Sequence, residues 1–347
     1  MMELNTASNV SNKYTQTDFY IGLGLAISST VFIGASFIIK KLALIRLNSF
    51  GSVRAGFGGF GYLKEWIWWL GFMMMGVGEL ANFAAYAFAP ASLVTPLGAL
   101  SVLVSAVLAS KYLNEKLNLL GKIGCLLCIL GSTVIVIHAP KEEEVESLND
   151  LLEKVQDSVF LVYVLFVLAC SFSIAFYFGP KYGSQYVVVY IIMCSAIGSL
   201  TVMSCKGLGL ALKETITGKS DDFQNWLTYA FFITVVICIF VQMNYLNKAL
   251  DLFNTSIVTP VYYVFFTTLV IIASSILFKE WTALSVKDII GNVCGFLTVI
   301  IAIFLLHAFK DMEISLSDFR RILSPKHEKL WRNGRNDNYE SLLSRSI

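Results

Sequence analysis

The sequence predicts an all-α integral membrane protein of about nine transmembrane helices, arranged as two inverted halves of five and four helices. Three observations predict this class: an apolar composition, apolar stretches of membrane-spanning length, and a motif that occurs twice. Of the 347 residues, 56% are hydrophobic and 14% are charged, with a mean hydropathy of +0.69. Soluble domains carry about 25% charged residues. The missing charge indicates that lipid covers much of the surface.

The apolar stretches approach the roughly 20 residues that a transmembrane helix needs. They fall at residues 19–39, 66–88, 91–110, 118–138, 158–178, 186–205, 226–246, 256–278 and 287–307. This spacing predicts an extracellular N-terminal segment at 1–18, a transmembrane domain at 19–308 and a cytosolic tail at 309–347. Within the domain, repeat one covers about 19–178, repeat two about 186–308, and an acidic outer loop 139–157.

The basic residues predict the orientation. With the C-terminus in the cytosol, the cytosolic segments hold most of the 26 basic residues, Lys40 and Lys41 among them, and every arginine. The N-terminus then lies outside, together with the glycosylation acceptor triplet that begins at Asn9. The glycine-rich stretch Gly51–Gly61 falls on the cytosolic side. It lacks the lysine and hydroxyl of a nucleotide-binding loop, and we expect a flexible loop.

An internal repeat predicts the two halves. Val94-Thr95-Pro96 opens the third span, and Val258-Thr259-Pro260 opens the eighth. Matched spans are five helices apart. Because successive spans cross the membrane in alternating directions and five is odd, the two halves have opposite orientations. Inverted repeats are typical of alternating-access transporters with a site near the membrane midplane. Two roles stay open for the prolines: a place in the first turn of a helix, or a break whose freed carbonyls line a cavity.

The most informative polar residue inside the membrane is Glu79, in the second span. No basic residue lies within two turns of it along the chain, and an acid at a helix centre costs about 2.5–3.5 kcal/mol. Asn82 shares its helix face. A carboxylate and an amide oxygen suit a hard cation that keeps part of its water, as magnesium does. The alternative is a protonated Glu79 that forms a hydrogen bond between helices.

Further polar side chains could line a path for the ion. These are Thr95, Gln242, Asn244, Asn247 and Thr259. Lys248 and Asp251 are spaced to pair with each other at the cytosolic surface. Cys125 and Cys128 fit packing better than metal binding. The sequence shows no histidine or thiolate cluster, phosphate-binding loop or nucleophilic triad, so it predicts neither an enzyme nor a cofactor.

Two runs of residues resemble a known family. Gly78–Ala91, continuing through Val94-Thr95-Pro96, resembles the signature of the NIPA magnesium transporters, and Tyr245–Asp251 with Thr259–Tyr263 is similar to their second-half signature. The family belongs to the drug/metabolite transporter superfamily, whose usual ten helices form two inverted halves. The resemblance implies magnesium uptake at the plasma membrane and early endosomes.

The sequence therefore favours potential-driven, facilitated uptake of Mg²⁺. Two alternatives remain: a metabolite carrier of the same superfamily, and a membrane scaffold that regulates endosomal receptor traffic. Residues 141–157 are expected to contain a short amphipathic helix, and the tail after Lys310 a face suited to anionic lipid. Tyr339 and Leu342 resemble an endocytic sorting signal for an adaptor protein. Nothing in the sequence points to nucleic acid.

Overall fold

A computed structural model describes residues 16–88, 98–115, 118–139, 148–216, 226–279 and 285–308. Within these ranges the protein is helical, with no strand. We number the long helices α1 to α9 in chain order. They are α1 Gln16–Ser49, α2 Trp66–Phe88, α3 Ser101–Tyr112, α4 Leu119–Ile137, α5 Ser158–Tyr182, α6 Val187–Ile216, α7 Trp226–Leu252, α8 Thr255–Leu277 and α9 Val286–Ala308.

Seven helices in the described ranges are long and apolar enough to cross a membrane: α1 and α4 to α9. Helix α2 has the required length, 23 residues, but is not among these seven; it carries Glu79 and Asn82. The third predicted span is described only from residue 98 onward, and α3 has 12 residues. The chain is thus a multi-pass membrane protein, and the count of nine spans stays a prediction.

Glycines let neighbouring helices pack at short distance. In α1 and α2, a Cβ added to Gly78 would lie 2.7 Å from Ile33 Cγ1. In α4 and α9, a Cβ added to Gly131 would lie 3.0 Å from the carbonyl oxygen of Gly295. These distances leave room only for hydrogen, so the helices meet backbone to backbone, as small residues allow in membranes.

The helix pairing follows the same pattern in both parts of the chain. Helix α1 packs on α2 and α3, and α6 packs on α7 and α8. Helices α4 and α9 run antiparallel, because Gly124 faces Leu306 while Gly291 faces His138. One buried cluster joins both parts through Phe37, Met75 and Cys194, together with residues of α4, α7, α8 and α9.

The outward faces are apolar. Phe166 of α5, Phe240 of α7 and Phe304 of α9 are all exposed. Large exposed apolar faces on a soluble protein would drive aggregation, whereas in a bilayer they contact lipid. The predicted short amphipathic helix is confirmed at Leu148–Val155, and Leu151 on its apolar face is buried.

The glycine-rich stretch differs from the expectation of a flexible loop. It forms two short 3₁₀ helices, Ala55–Phe57 and Gly61–Lys64. The first packs against α7, and the second against α1 and α2. The prediction of flexibility was wrong because the glycines serve close packing: a Cβ on Gly56 would lie 2.6 Å from Leu252 Cγ. Gly58 has φ +91°, a conformation that favours glycine.

Candidate cation site

Glu79 lies midway along α2, on the side that faces the bundle. Met75, one turn earlier, is buried, and Asn82, nearly one turn later, is half-buried. The lipid-facing side of the same helix carries the exposed Leu80 and Phe83. Glu79 itself is exposed. An exposed acidic side chain beside buried neighbours is consistent with a polar opening between the helices at Glu79.

Although no basic residue lies near Glu79 along the chain, the structure brings one close to it in space. Lys40 of α1 interacts electrostatically with it, although the two are far apart in sequence. Lys40 was also expected among the basic residues of the cytosolic segments, but its side chain is fully buried. The helix α1 continues for nearly three turns beyond the predicted end of the span, so Lys40 lies well within the helix, where α2 packs against it.

The second part of the chain reaches the same point through α6 and α8. Tyr262 of α8 interacts electrostatically with Glu79, and its ring lies 5.8 Å from that of Phe37 in an edge contact. Cys194 of α6 is fully buried and lies near Lys40. Side chains of α1, α2, α6 and α8 therefore meet around one carboxylate.

Asn82 adds a buried side-chain oxygen to the site. Its Oδ1 is buried and forms no hydrogen bond among the described residues. A Cβ on Gly98 would lie 3.7 Å from this atom, so the amide faces the beginning of the third predicted span. A buried acceptor without a donor is costly, at about 1–3 kcal/mol. A cation with its water would satisfy it.

No three His, Cys, Asp or Glu side chains in the described ranges come together in a way that could hold a metal ion. Glu79 and Asn82 would therefore contact only part of a cation's coordination shell. Mg²⁺ binds in this manner, since it gives up its water reluctantly and often takes one or two carboxylates.

The path candidates do not all meet at this site. Gln242 is buried between α6 and α7, and its Oε1 accepts a hydrogen bond from Thr201 at 3.2 Å. Asn247 accepts one from Trp68 Nε1 at 3.0 Å. Trp68 precedes Glu79 by three turns of α2, about 16 Å along the axis. Asn247 therefore joins α2 to α7 away from the carboxylate, and Asn244 on the same helix is half-buried.

Thr259 lies in a break of the α8 hydrogen-bonding pattern. Pro260 is the sixth residue of α8, past the first turn, so it leaves the carbonyl of Ser256 without its helical donor. Cys125 Sγ lies 3.8 Å from that oxygen, a packing role of the kind expected for this cysteine. Thr259 Oγ1 lies 2.8 Å from Ser105 Oγ of α3. This part of α8 is therefore held by α3 and α4.

Four further candidate site residues of the sequence analysis lie outside the described residues. They are Asn9, Thr95, Tyr339 and Leu342.

A second polar cluster surrounds residues 250–256, between α7 and α8, which we call the α7–α8 junction. Asp251 accepts hydrogen bonds from Asn48 Nδ2 at 2.7 Å and from the backbone N–H of Gly56 at 2.9 Å. Its carboxylate also pairs with Arg54 at 3.3 Å. The expected pair with Lys248 is wrong, since Lys248 lies over the Tyr245 ring instead.

Two more residues from the first part of the chain bind the α7–α8 junction. Glu115 Oε2 accepts the backbone N–H of Ser256 at 3.1 Å, at the N-terminus of α8, where a negative charge is favourable. Burial raises the pKa of Glu115 above its usual value, although this hydrogen bond acts in the opposite direction. Lys41 Nζ donates to the carbonyl oxygen of Phe253 at 3.0 Å, and also to that of Leu250. The junction is therefore clamped from several sides.

Sequence reasoning missed Lys40 as a neighbour of Glu79. A signal for it exists: the apolar residues Leu42, Ala43, Leu44 and Ile45 follow the lysine pair, so the pair interrupts one long apolar run. An ionisable residue inside such a run is functional by default. Tyr262 and Asp251 carry no comparable signal, because their partners lie far away in sequence.

Known proteins share this sequence over most of its length. A family model described as "Magnesium transporter NIPA" matches residues 17–312. The chain belongs to this family. It is 52% identical to the human protein named magnesium transporter NIPA3, over 97% of this chain and 80% of that protein. It is 55% identical to the Pongo abelii NIPA3, over 91% of this chain and 76% of the relative.

A plant relative shows how far the similarity extends. The protein named probable magnesium transporter NIPA1 of Arabidopsis thaliana is 50% identical, over 88% of this chain and 91% of its own length. No solved structure matches the chain. The arrangement of Glu79 and Lys40 in this NIPA-family chain therefore rests on the present structure.

Proposed function

We propose that this chain carries Mg²⁺ across the membrane through the site at Glu79. The observation that carries the proposal is an accessible carboxylate in α2, with the orphaned oxygen of Asn82 nearly one turn away. Relatives at 50–55% identity bear the name magnesium transporter, some of them as probable ones. With a cytosolic C-terminus, the membrane potential supplies about 2.3 kcal/mol per charge per 100 mV, hence roughly twice that for a divalent ion moving inward.

The transport mechanism in this proposal is alternating access between two inverted halves of five and four helices. The corresponding pairings, of α1 with α2 and of α6 with α7, support it, as does the antiparallel contact of α4 with α9. In the described state the clamped α7–α8 junction lies on the predicted cytosolic side. We assign this state to a conformer that is closed toward the cytosol.

Replacement of Glu79 tests the site. Glu79→Gln removes the charge with little change in shape, and we expect it to abolish Mg²⁺ uptake into vesicles reconstituted with the full chain. Glu79→Asp keeps the charge and shortens the side chain, so uptake should be impaired less. Because the Gln variant leaves Lys40 without its counter-charge, the double variant with Lys40→Met serves as the folding control. Uptake by Glu79→Gln at the wild-type rate would remove this residue from the path.

Two other functions make different demands. A metabolite carrier needs several donors for anionic or sugar groups, whereas the site described here offers the carboxylate of Glu79, the amide oxygen of Asn82 and one ammonium, that of Lys40. A scaffold for endosomal receptor traffic would depend on the tail and not on Glu79. Normal receptor traffic in cells that express only Glu79→Gln would separate a scaffold role from transport.

A further inference from the structure

Lys40 is the charged group in the described structure that transport through Glu79 does not yet explain. Its side chain is fully buried in the part of α1 that packs on α2. None of the close ion pairs among the described residues involves it. A lysine inside a membrane protein is costly and is retained where it serves a function.

The immediate partners of Lys40 are weak ones. Its Nζ lies 3.3 Å from the thioether sulfur of Met75 and 4.9 Å from the centre of the Phe37 ring. A thioether is a weak acceptor, and a ring face attracts a cation only modestly. Cys194 also lies near the ammonium, but its thiol is ordinarily neutral. The charged partner within reach is therefore the carboxylate of Glu79, which follows Met75 by one turn of α2.

The backbone fixes where this ammonium can reach. A Cβ on Gly71 would lie 2.9 Å from Lys40 Cγ and 3.1 Å from its backbone nitrogen, so α2 holds the base of the side chain. The remaining stem is flexible, as in any lysine. The ammonium can thus approach Glu79 or withdraw from it, while its attachment point stays in place.

We propose that Lys40 determines the valence selectivity of the site by acting as a tethered monovalent cation for Glu79. An arriving K⁺ or Na⁺ gains no charge when it replaces the ammonium beside the carboxylate. A divalent ion gains one full charge in the same exchange, and Coulomb attraction between charges about 4 Å apart changes occupancy by more than about tenfold per unit charge. The inference rests on the proposed function, since it assumes that Glu79 binds the transported ion.

The test uses the full chain in vesicles and measures Mg²⁺ uptake with and without excess K⁺, together with K⁺ flux. Lys40→Met removes the charge and keeps an apolar stem. We expect the ratio of Mg²⁺ to K⁺ transport to fall by at least about tenfold. Lys41→Met is the matched control, because this buried neighbour binds carbonyl oxygens at the α7–α8 junction and not Glu79. It should keep the wild-type ratio.

The ratio does not depend on how much protein folds, so a purely structural role for Lys40 would leave it unchanged and would overturn the inference. Should Lys40→Met not fold, Lys40→Arg decides, because it keeps the charge and must keep the ratio. An altered ratio in the Arg variant would overturn the inference as well. If Glu79→Gln loses uptake but Lys40→Met keeps the wild-type ratio, only the proposed role of Lys40 is refuted, and the site at Glu79 stands. If Glu79→Gln takes up Mg²⁺ normally, the site itself is refuted.

Discussion

Replacement of Asp251 by asparagine is expected to favour opening of the bundle on the predicted cytosolic side. The carboxylate of Asp251 is 1% exposed and accepts hydrogen bonds from Asn48, Gly56 and Arg54. All three donors belong to the first half, while Asp251 belongs to the second. Asparagine keeps the shape but offers one acceptor instead of two, and its N–H group would meet donors.

The magnitude follows from the contacts that are lost. Hydrogen bonds to a charged group contribute about 1.5–3 kcal/mol each. The Arg54 side chain is 45% exposed, so water screens its contribution. The one acceptor that asparagine keeps can still receive the bond from Asn48, so we count only the bond from Gly56 as lost. A net loss of about 2 kcal/mol shifts the equilibrium between closed and open states by roughly thirtyfold.

Cys125 provides the assay for this opening. It is 2% exposed and lies against the α7–α8 junction through its contact with Ser256. In a variant that keeps only this cysteine, a membrane-impermeant maleimide applied from the cytosolic face should label Asp251→Asn roughly thirty times faster than the parent. Lys248→Gln, at the same end of α7, is the control and should label at the parent rate. Equal labelling of Asp251→Asn and the parent would refute the clamp.

Two further predictions concern topology and traffic. A tag at the N-terminus should be labelled on intact cells and a tag at the C-terminus should not, because every arginine lies on the predicted cytosolic side; surface labelling of the C-terminal tag would overturn the orientation. Tyr339→Ala should move the protein from endosomes to the cell surface without changing transport per molecule, as measured by surface biotinylation. An unaltered endosomal fraction, with Leu342→Ala tested beside it, would mean that these residues are not a sorting signal.

The positions of the helices could be predicted from the sequence because they depend on local properties. The lengths of the apolar stretches, and the polar residues between them, predicted the bounds of α2 correctly and those of α4 and α9 to within one residue. The prediction that Glu79 is a functional residue was equally local, since a carboxylate inside an apolar run is costly wherever the other helices lie. Asn82 followed from helix periodicity alone.

The tertiary structure decided which groups meet. Lys40 approaches Glu79 only because Gly71 and Gly78 let α1 and α2 pack closely, and Asp251 finds Arg54 instead of Lys248 because the glycine-rich stretch folds onto α7. The positions of charged residues along the chain do not predict such pairs, because Coulomb attraction depends on distance in space. The sequence by itself determined that an acid lies inside the membrane domain. Helix packing determined that this acid has a cation beside it.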